Sequence, residues 1–141
     1  MIPDRAIDII KFYEGFSPIP YKCPAGKKTI GYGHVIKDGE NFTYLNQTEA
    51  HELLLKDLEI FEKAVKDSVK VPLKDYQKGA LVSFCYNIGP TAFRNSTLLK
   101  ELNDGNYHFI GRELMRWVFV NRNPLRGLIR RRIAECELFY G

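Results

Sequence analysis

Between Gly15 and Tyr44 the chain cannot be helical. Pro18, Pro20 and Pro24 interrupt this stretch, and an interior proline removes an amide donor and clashes with the preceding turn. The residues around them include Tyr21, Thr29, Ile30, Tyr32, Val35 and Ile36, types that fit a pleated, half-buried surface. Pro24-Ala25-Gly26-Lys27 and Lys37-Asp38-Gly39-Glu40 read as turns. The stretch therefore predicts a small antiparallel sheet of two or three strands.

Most of the rest reads as helix. Pro3 and Asp4 open a short helix that sets Ala6, Ile9, Ile10 and Tyr13 on one face and ends before Gly15, with Glu14 at its C-terminal lip. Asn46 and Glu49 form a capping box ahead of the stripe Ala50, Leu53, Leu54, Leu58, Phe61 and Val65, a helix reaching about Asp67. From about Lys74 to Ile88 the chain is apolar nearly all round, which marks a central buried helix ended by Gly89-Pro90. Ser96 caps a short helix to Asn103, and Asn106 caps another through Val118. Asn121 to Gly127 reads as a loop. A last helix, Leu128 to Phe139, carries Ile129, Ile133, Cys136 and Phe139 inward, with Arg130, Arg131 and Arg132 mostly outward. Strands segregated from helices make the class α+β.

With 141 residues, 45% of them hydrophobic, the chain suffices for one domain with its own core. Cys23, Cys85 and Cys136 are too few and wrongly spaced for a disulfide framework or a structural zinc site. The net charge of +4 is carried by residues 112–141, which hold seven Arg and three Glu; this suits a polyanionic partner without choosing one. The N-terminus resembles no targeting signal, and no apolar run approaches the length of a membrane span.

The polar residues of the sheet region carry the chemical signal. A carboxyl group such as Glu14, wedged between a helix and a strand-rich segment, is partly desolvated, which favours the protonated form a general acid needs. Thr29-Ile30-Gly31-Tyr32-Gly33-His34 alternates glycine with larger residues, a pattern of close backbone or ligand approach. No helix follows and the third glycine is missing, so this is not a nucleotide fingerprint.

The ordered set Glu14-Gly15-Phe16, Tyr21-Lys22-Cys23, Thr29-Ile30-Gly31-Tyr32-Gly33-His34, Ala80-Leu81-Val82-Ser83-Phe84-Cys85-Tyr86-Asn87-Ile88-Gly89, Trp117, Gly127-Leu128-Ile129-Arg130-Arg131-Arg132 and Glu135 resembles the phage-type lysozymes, the endolysin or muramidase family. The resemblance spans essentially the whole chain. It implies a lysozyme-like fold with two lobes: a first helix and sheet lobe over about residues 1–46, a connecting helix over about 47–68, and a larger helical lobe over about 72–141. It implies hydrolysis of the β-1,4 bond between N-acetylmuramic acid and N-acetylglucosamine in peptidoglycan, with Glu14 as general acid and Thr29 placing the attacking water.

Cys23 occupies the position where the family commonly has an Asp and in part has a Cys. Residues 15–37 contain no Asp or Glu, so no neighbour in that loop replaces the carboxylate. Lys22, Lys27 and Lys28 crowd the loop, and nearby cations favour a thiolate. Cys23 is thus expected to act as thiolate, as base or as nucleophile, while Cys85 and Cys136 are expected to be inert core.

The resemblance further implies a structural ion pair between His34 and Asp57. A sugar cleft is expected between the lobes, lined by Tyr21, Val35, Tyr86 and Asn87, with Arg122 or Arg126 from the late loop. No cofactor or metal is implied. The expected partners are peptidoglycan and a holin for release, with no nucleic acid and no stable membrane insertion, and the chain is expected to be monomeric. It would accumulate in the host bacterial cytoplasm and reach the wall after membrane permeabilisation. The competing readings are a catalytically impaired peptidoglycan-binding homologue, a nucleic-acid binder built on Arg130–Arg132, and a lytic transglycosylase.

Overall fold

The computed structural model describes residues 2–141. In chain order the elements are α1 (Asp4–Glu14), β1 (Ser17–Lys22), β2 (Lys28–Gly31), β3 (His34–Val35), α2 (Gln47–Ser68), α3 (Asp75–Ile88), α4 (Pro90–Arg94), α5 (Thr97–Asn103), a 3₁₀ turn (Tyr107–Phe109), α6 (Ile110–Leu114), β4 (Phe119–Val120), β5 (Asn123–Pro124) and α7 (Arg126–Phe139). The class is α+β, as the segregation of strands from helices implies. Two compact units are present: residues 10–60, and residues up to 9 together with 61–141. Their division falls within α1 and within α2.

In the sheet unit, β1, β2 and β3 form an antiparallel sheet in that order. The β1–β2 register slips between Ser17 and Tyr21, where Pro18 and Pro20 offer no amide to the ladder. Its core is Ile30, Leu45 and Ala50, with Phe16, Tyr32, Ile36, Phe42 and Leu53 packed around them. The α2 capping box forms as its spacing requires: Glu49 N donates to Asn46 Oδ1 at 2.8 Å, and Asn46 N donates to Glu49 Oε1 at 3.0 Å.

The helical unit is organised around α3, whose residues Gly79 to Cys85 are all buried. At Gly79 an added Cβ would lie 2.8–2.9 Å from Pro3 and Ala6, so this glycine permits the close approach of α1 to α3.

Four sequence expectations fail here. The segment expected as one helix from Asn106 to Val118 is a 3₁₀ turn followed by the five-residue α6. An additional short helix, α4, starts with Pro90 at its first position, where proline lacks only an amide that would be orphaned anyway. The expected loop at Asn121 to Gly127 holds the turn and second strand of the hairpin β4–β5, in which Val120 pairs with Asn123, and its end already belongs to α7. Asn121 and Arg122 complete its tight turn with φ of 50° and 69°, the left-handed backbone that a two-residue hairpin requires.

The fourth correction concerns α7. Arg130 is exposed, but Arg131 is 2% and Arg132 0% accessible, while Ile133 stands 44% exposed. The buried face runs through Arg131, Arg132, Glu135, Leu138 and Phe139. Apolar periodicity misplaces it because its charged members satisfy one another. Arg131 Nε lies 3.3 Å from Glu135 Oε2, and Arg132 Nη1 donates to Glu135 Oε1. Ser83 Oγ of α3 donates to Glu135 Oε2 at 2.6 Å, and Arg131 Nη2 donates to the Ser83 carbonyl at 3.0 Å.

Breaking a buried ion pair by deleting one partner costs about 3–5 kcal/mol. Glu135→Ala should lose that much in denaturant unfolding followed by Trp117 fluorescence. Gly79→Ala should cost about 1–3 kcal/mol by overpacking in the same assay; wild-type stability would contradict the close approach.

Candidate active site

Side-chain direction alternates along a strand, so directly paired residues share a face. Tyr21 pairs with Thr29, and Thr29 pairs with Val35. These three therefore form one row across the sheet, with Tyr21 39% and Val35 42% exposed and Thr29 almost covered between them. Ile30 and His34, paired in the next row, face the other way and are buried.

His34 is held on that inner face by two carboxylates. Its Nδ1 lies 2.7 Å from Asp57 Oδ2 of α2, and its Nε2 lies 3.0 Å from Glu40 Oε1. Glu40 also accepts the Lys37 amide at 2.7 Å. The pair with Asp57 joins β3 to α2. The sequence reading missed Glu40, whose signal is its place in the Lys37–Glu40 turn.

Cys23 opens a tight turn at the end of β1. Gly26 N donates to the Cys23 carbonyl at 2.8 Å, and Cys23 N donates to the Lys27 carbonyl at 2.9 Å. Gly26 has a φ of 79°, which a residue with a side chain adopts only under strain. The Lys27 N–H above all, with help from the Ala25 N–H and the Thr29 hydroxyl, holds the Cys23 thiol pKa below its ordinary value, while burial works against them. Stabilisation of the thiolate thus comes from backbone dipoles and one hydroxyl rather than from the lysine side chains that the sequence suggested. The single Thr29 hydroxyl proton has the Lys27 carbonyl, 3.0 Å from Oγ1, as its alternative acceptor.

Glu14 is half-buried at the end of α1. It shares a small surface recess with Gly15, Phe16, Ser17 and Tyr21. Burial, then the charges of Glu14 and Cys23, raise the Tyr21 phenol pKa. Tyr21 is thereby kept a neutral donor, electrostatically close to both.

The remaining expected site residues belong to the helical unit. Tyr86 packs its ring edge-on to Phe61 at 4.9 Å. Asn87 is exposed at the last turn of α3, and its Oδ1 accepts from Arg132 Nη2. The sequence reading missed this role of Arg132; its three-residue spacing to Glu135 on one helix was the available signal. Arg122 and Arg126 are both exposed. Cys85 is fully buried and its thiol pKa is pushed up to about 12 by that burial. Burial likewise raises the Cys136 thiol, which contacts the Gly111 carbonyl. Among the described residues no His, Cys, Asp or Glu cluster could hold a metal ion.

A lowered thiol pKa means more thiolate at any given pH below it. Iodoacetamide should label Cys23 with a rate midpoint below the ordinary 9.0, and should leave Cys85 unlabelled until the chain unfolds. Lys27→Gln should not move the midpoint, whereas Thr29→Val should raise it.

Comparison with known proteins shows the family. Residues 11–135 match the family Phage lysozyme. The chain is 41% identical to an endolysin of Acyrthosiphon pisum secondary endosymbiont phage 1, with 98% of this chain and 97% of that protein covered. It is 40% identical to a SAR-endolysin of Escherichia phage Mu over 89% of this chain and 73% of that one. The muramidase domain of SpmX from Asticaccaulis excentricus superposes with a TM-score of 0.91 at 34% identity, covering 100% of this chain and 98% of that chain. The match over nearly the whole length, in sequence and in structure, places this chain in the phage lysozyme family as a glycosidase of the lysozyme type.

Proposed function

We propose that the chain is an endolysin that hydrolyses the β-1,4 bond between N-acetylmuramic acid and N-acetylglucosamine in peptidoglycan, with Glu14, Cys23 and Thr29 as its catalytic residues. The observation that carries this reading is the row Tyr21–Thr29–Val35 flanked by Cys23 in the turn after β1, in a chain of the lysozyme family.

The steps follow from donor and acceptor chemistry. The Glu14 carboxyl gives its proton to the glycosidic oxygen as the bond from that oxygen to the anomeric carbon breaks, and positive charge spreads over the sugar ring. The one proton of the Thr29 hydroxyl is shared between the Lys27 carbonyl and the Cys23 sulfur, which leaves the lone pairs of its oxygen free to accept from a water and orient it. The Cys23 thiolate takes the other proton of that water as its oxygen bonds to the anomeric carbon. The thiol and Glu14 then exchange the proton back through solvent. Tyr21 and Val35 line the sugar path on the sheet, and in the helical unit Tyr86 and Asn87 are the candidate glycan contacts.

Charge supports a wall substrate. Between Glu113 and Glu135 the sequence has no acidic residue, and with Arg131 and Arg132 buried, the surface excess rests on Arg122, Arg126 and Arg130. These attract an anionic polymer at long range. No helix among the described residues is long and apolar enough to cross a membrane. In this reading a monomer waits in the host cytoplasm and a holin admits it to the wall.

Glu14→Gln should lower turnover of purified peptidoglycan by about 10²–10⁴-fold while glycan binding persists. Cys23→Ser should also lose activity. Cys23→Asp should keep it and extend it to lower pH, because a carboxylate ionises there and a thiol does not. Equal activity of wild type and Cys23→Ser would remove the thiol from the mechanism. Proton NMR of the fresh product reads the geometry: an inverted anomer fits a thiolate base, a retained one a thiolate nucleophile. Binding without clearing by the wild type would instead indicate a peptidoglycan-binding homologue, and an anhydro-sugar product a transglycosylase.

A further inference from the structure

The loop after β3 closes a recess of about 320 Å³ on the sheet unit, at the lower end of the roughly 300–1,000 Å³ of small-molecule sites. It lies on the face opposite the Tyr21–Thr29–Val35 row. Lys28 and Ile36, which line it, each adjoin a member of that row in the chain, and successive strand residues point to opposite faces. The Ile36 amide donates to the Lys28 carbonyl at 2.9 Å, which continues the ladder past β3. The recess is therefore separate from the proposed catalytic row.

Its floor is apolar. Ile36 and Phe42 pack on the core of Ile30, Leu45 and Ala50, and Phe42 sets its ring edge-on to that of His34 at 5.4 Å. Its rim is polar. Glu40 uses one oxygen, Oε1, for both the Lys37 amide and His34 Nε2. This fixes the carboxylate and leaves Oε2 without a partner among the described residues. The Lys37 amide, then His34, hold the Glu40 carboxyl below its ordinary pKa, so it stays an acceptor. The side chains of Lys28, Lys37, Asp38 and Asn41 likewise make no hydrogen bond or ion pair among the described residues. Two ammonium groups balance two carboxylates here, so neither an anion nor a cation gains from the net charge. The recess suits a neutral ligand with groups that both donate and accept, beside an apolar patch. Sugar hydroxyls do both, and the C–H face of a sugar ring suits Ile36 and Phe42.

We infer that this recess is a second glycan-binding site, which takes a sugar of a neighbouring strand and holds the enzyme on the wall while the opposite face of the sheet works. The role on the wall rests on the muramidase reading above. In an insoluble wall, strands stand side by side at high local concentration. A second contact by the same molecule is then effectively intramolecular and lengthens its stay.

The test starts with the full chain carrying Glu14→Gln, so that the probe is not cut. Tri-N-acetylchitotriose should shift the backbone amide resonances of Ile36 and Gly39 as well as that of Thr29. Adding Asp38→Ala and Asn41→Ala, two exposed positions, should abolish the shifts at Ile36 and Gly39 and keep the one at Thr29. With Glu14 restored, that double variant should show a KM about tenfold higher on intact sacculi, the loss of roughly one hydrogen bond, with kcat and melting temperature unchanged. On soluble glycan fragments, each filling one site only, its kcat/KM should equal that of the wild type. No shift at Ile36 and Gly39 in the titration, or a wild-type KM of the double variant on sacculi, would overturn the inference. So would a shift there caused by a zwitterionic tripeptide and not by the saccharide. Failure of the muramidase reading looks different: the wild type would turn over neither sacculi nor fragments. The titration at Ile36 and Gly39 then decides the recess by itself, a shift keeping it as a saccharide site and none removing it.

Discussion

Two arginines and one glutamate with almost no solvent contact sit on α7 where apolar side chains would ordinarily pack. Burying a charge without partners is prohibitive, and even a paired one is tolerated only if its remaining donors and lone pairs are satisfied. The helical unit meets that demand through α3. Ser83 supplies a hydroxyl and a carbonyl, Trp117 a carbonyl, Phe84 a ring face and Asn87 an amide oxygen. The contacts of α7 with α3 are therefore directional. Sliding one helix past the other would break several charge-assisted hydrogen bonds at once, whereas a purely apolar seam would tolerate a shift. This directionality gives an amide at the end of α3 a defined orientation.

The sheet unit solves a different problem with backbone rather than side chains. Its strands are short, and proline deprives β1 of ladder donors. What it achieves is parity: Tyr21, Thr29 and Val35 emerge on one face while Ile30 and His34 seal the other. The two carboxylates on His34 secure the inner face, and Asp57 anchors it to α2. A one-residue slip of β2 would turn Thr29 inward and Ile30 outward, so the polar clamp on His34 also guards the register of the proposed catalytic row.

The thiol at position 23 shows how a turn can replace a nearby countercharge. Three lysines in the loop suggested an electrostatic origin for a reactive cysteine, but their side chains are exposed and solvent-screened. The amide of Lys27, in the turn that Gly26 permits, is the largest cause that lowers the thiol pKa. Cys85, of the same chemical type, is moved the opposite way because burial penalises its charged form more than the distant charge of Arg94 favours it. The same side chain is thus a candidate base in one setting and inert packing in the other.

The sequence alone determined the elements with strong local codes. Proline placed the sheet, the Asn46–Glu49 box started α2, Gly15 and Gly89 ended α1 and α3, and the unbroken apolar run made α3 central. It also put Glu14, Cys23 and Thr29 in one short segment, since a motif confined to a hairpin and the helix before it is local in the chain. The weakly coded parts were decided by tertiary structure. The segment after Asn106 broke into a 3₁₀ turn and the short α6. Asn121 and Arg122 adopted a left-handed hairpin without glycine. Above all, Arg131 and Arg132 turned inward. Arginine is normally an outward residue, and only Glu135 on the same helix, with Ser83, Asn87 and Trp117 brought from elsewhere in the chain, supplies the partners that make burial affordable; no reading of spacing along one helix contains those distant acceptors.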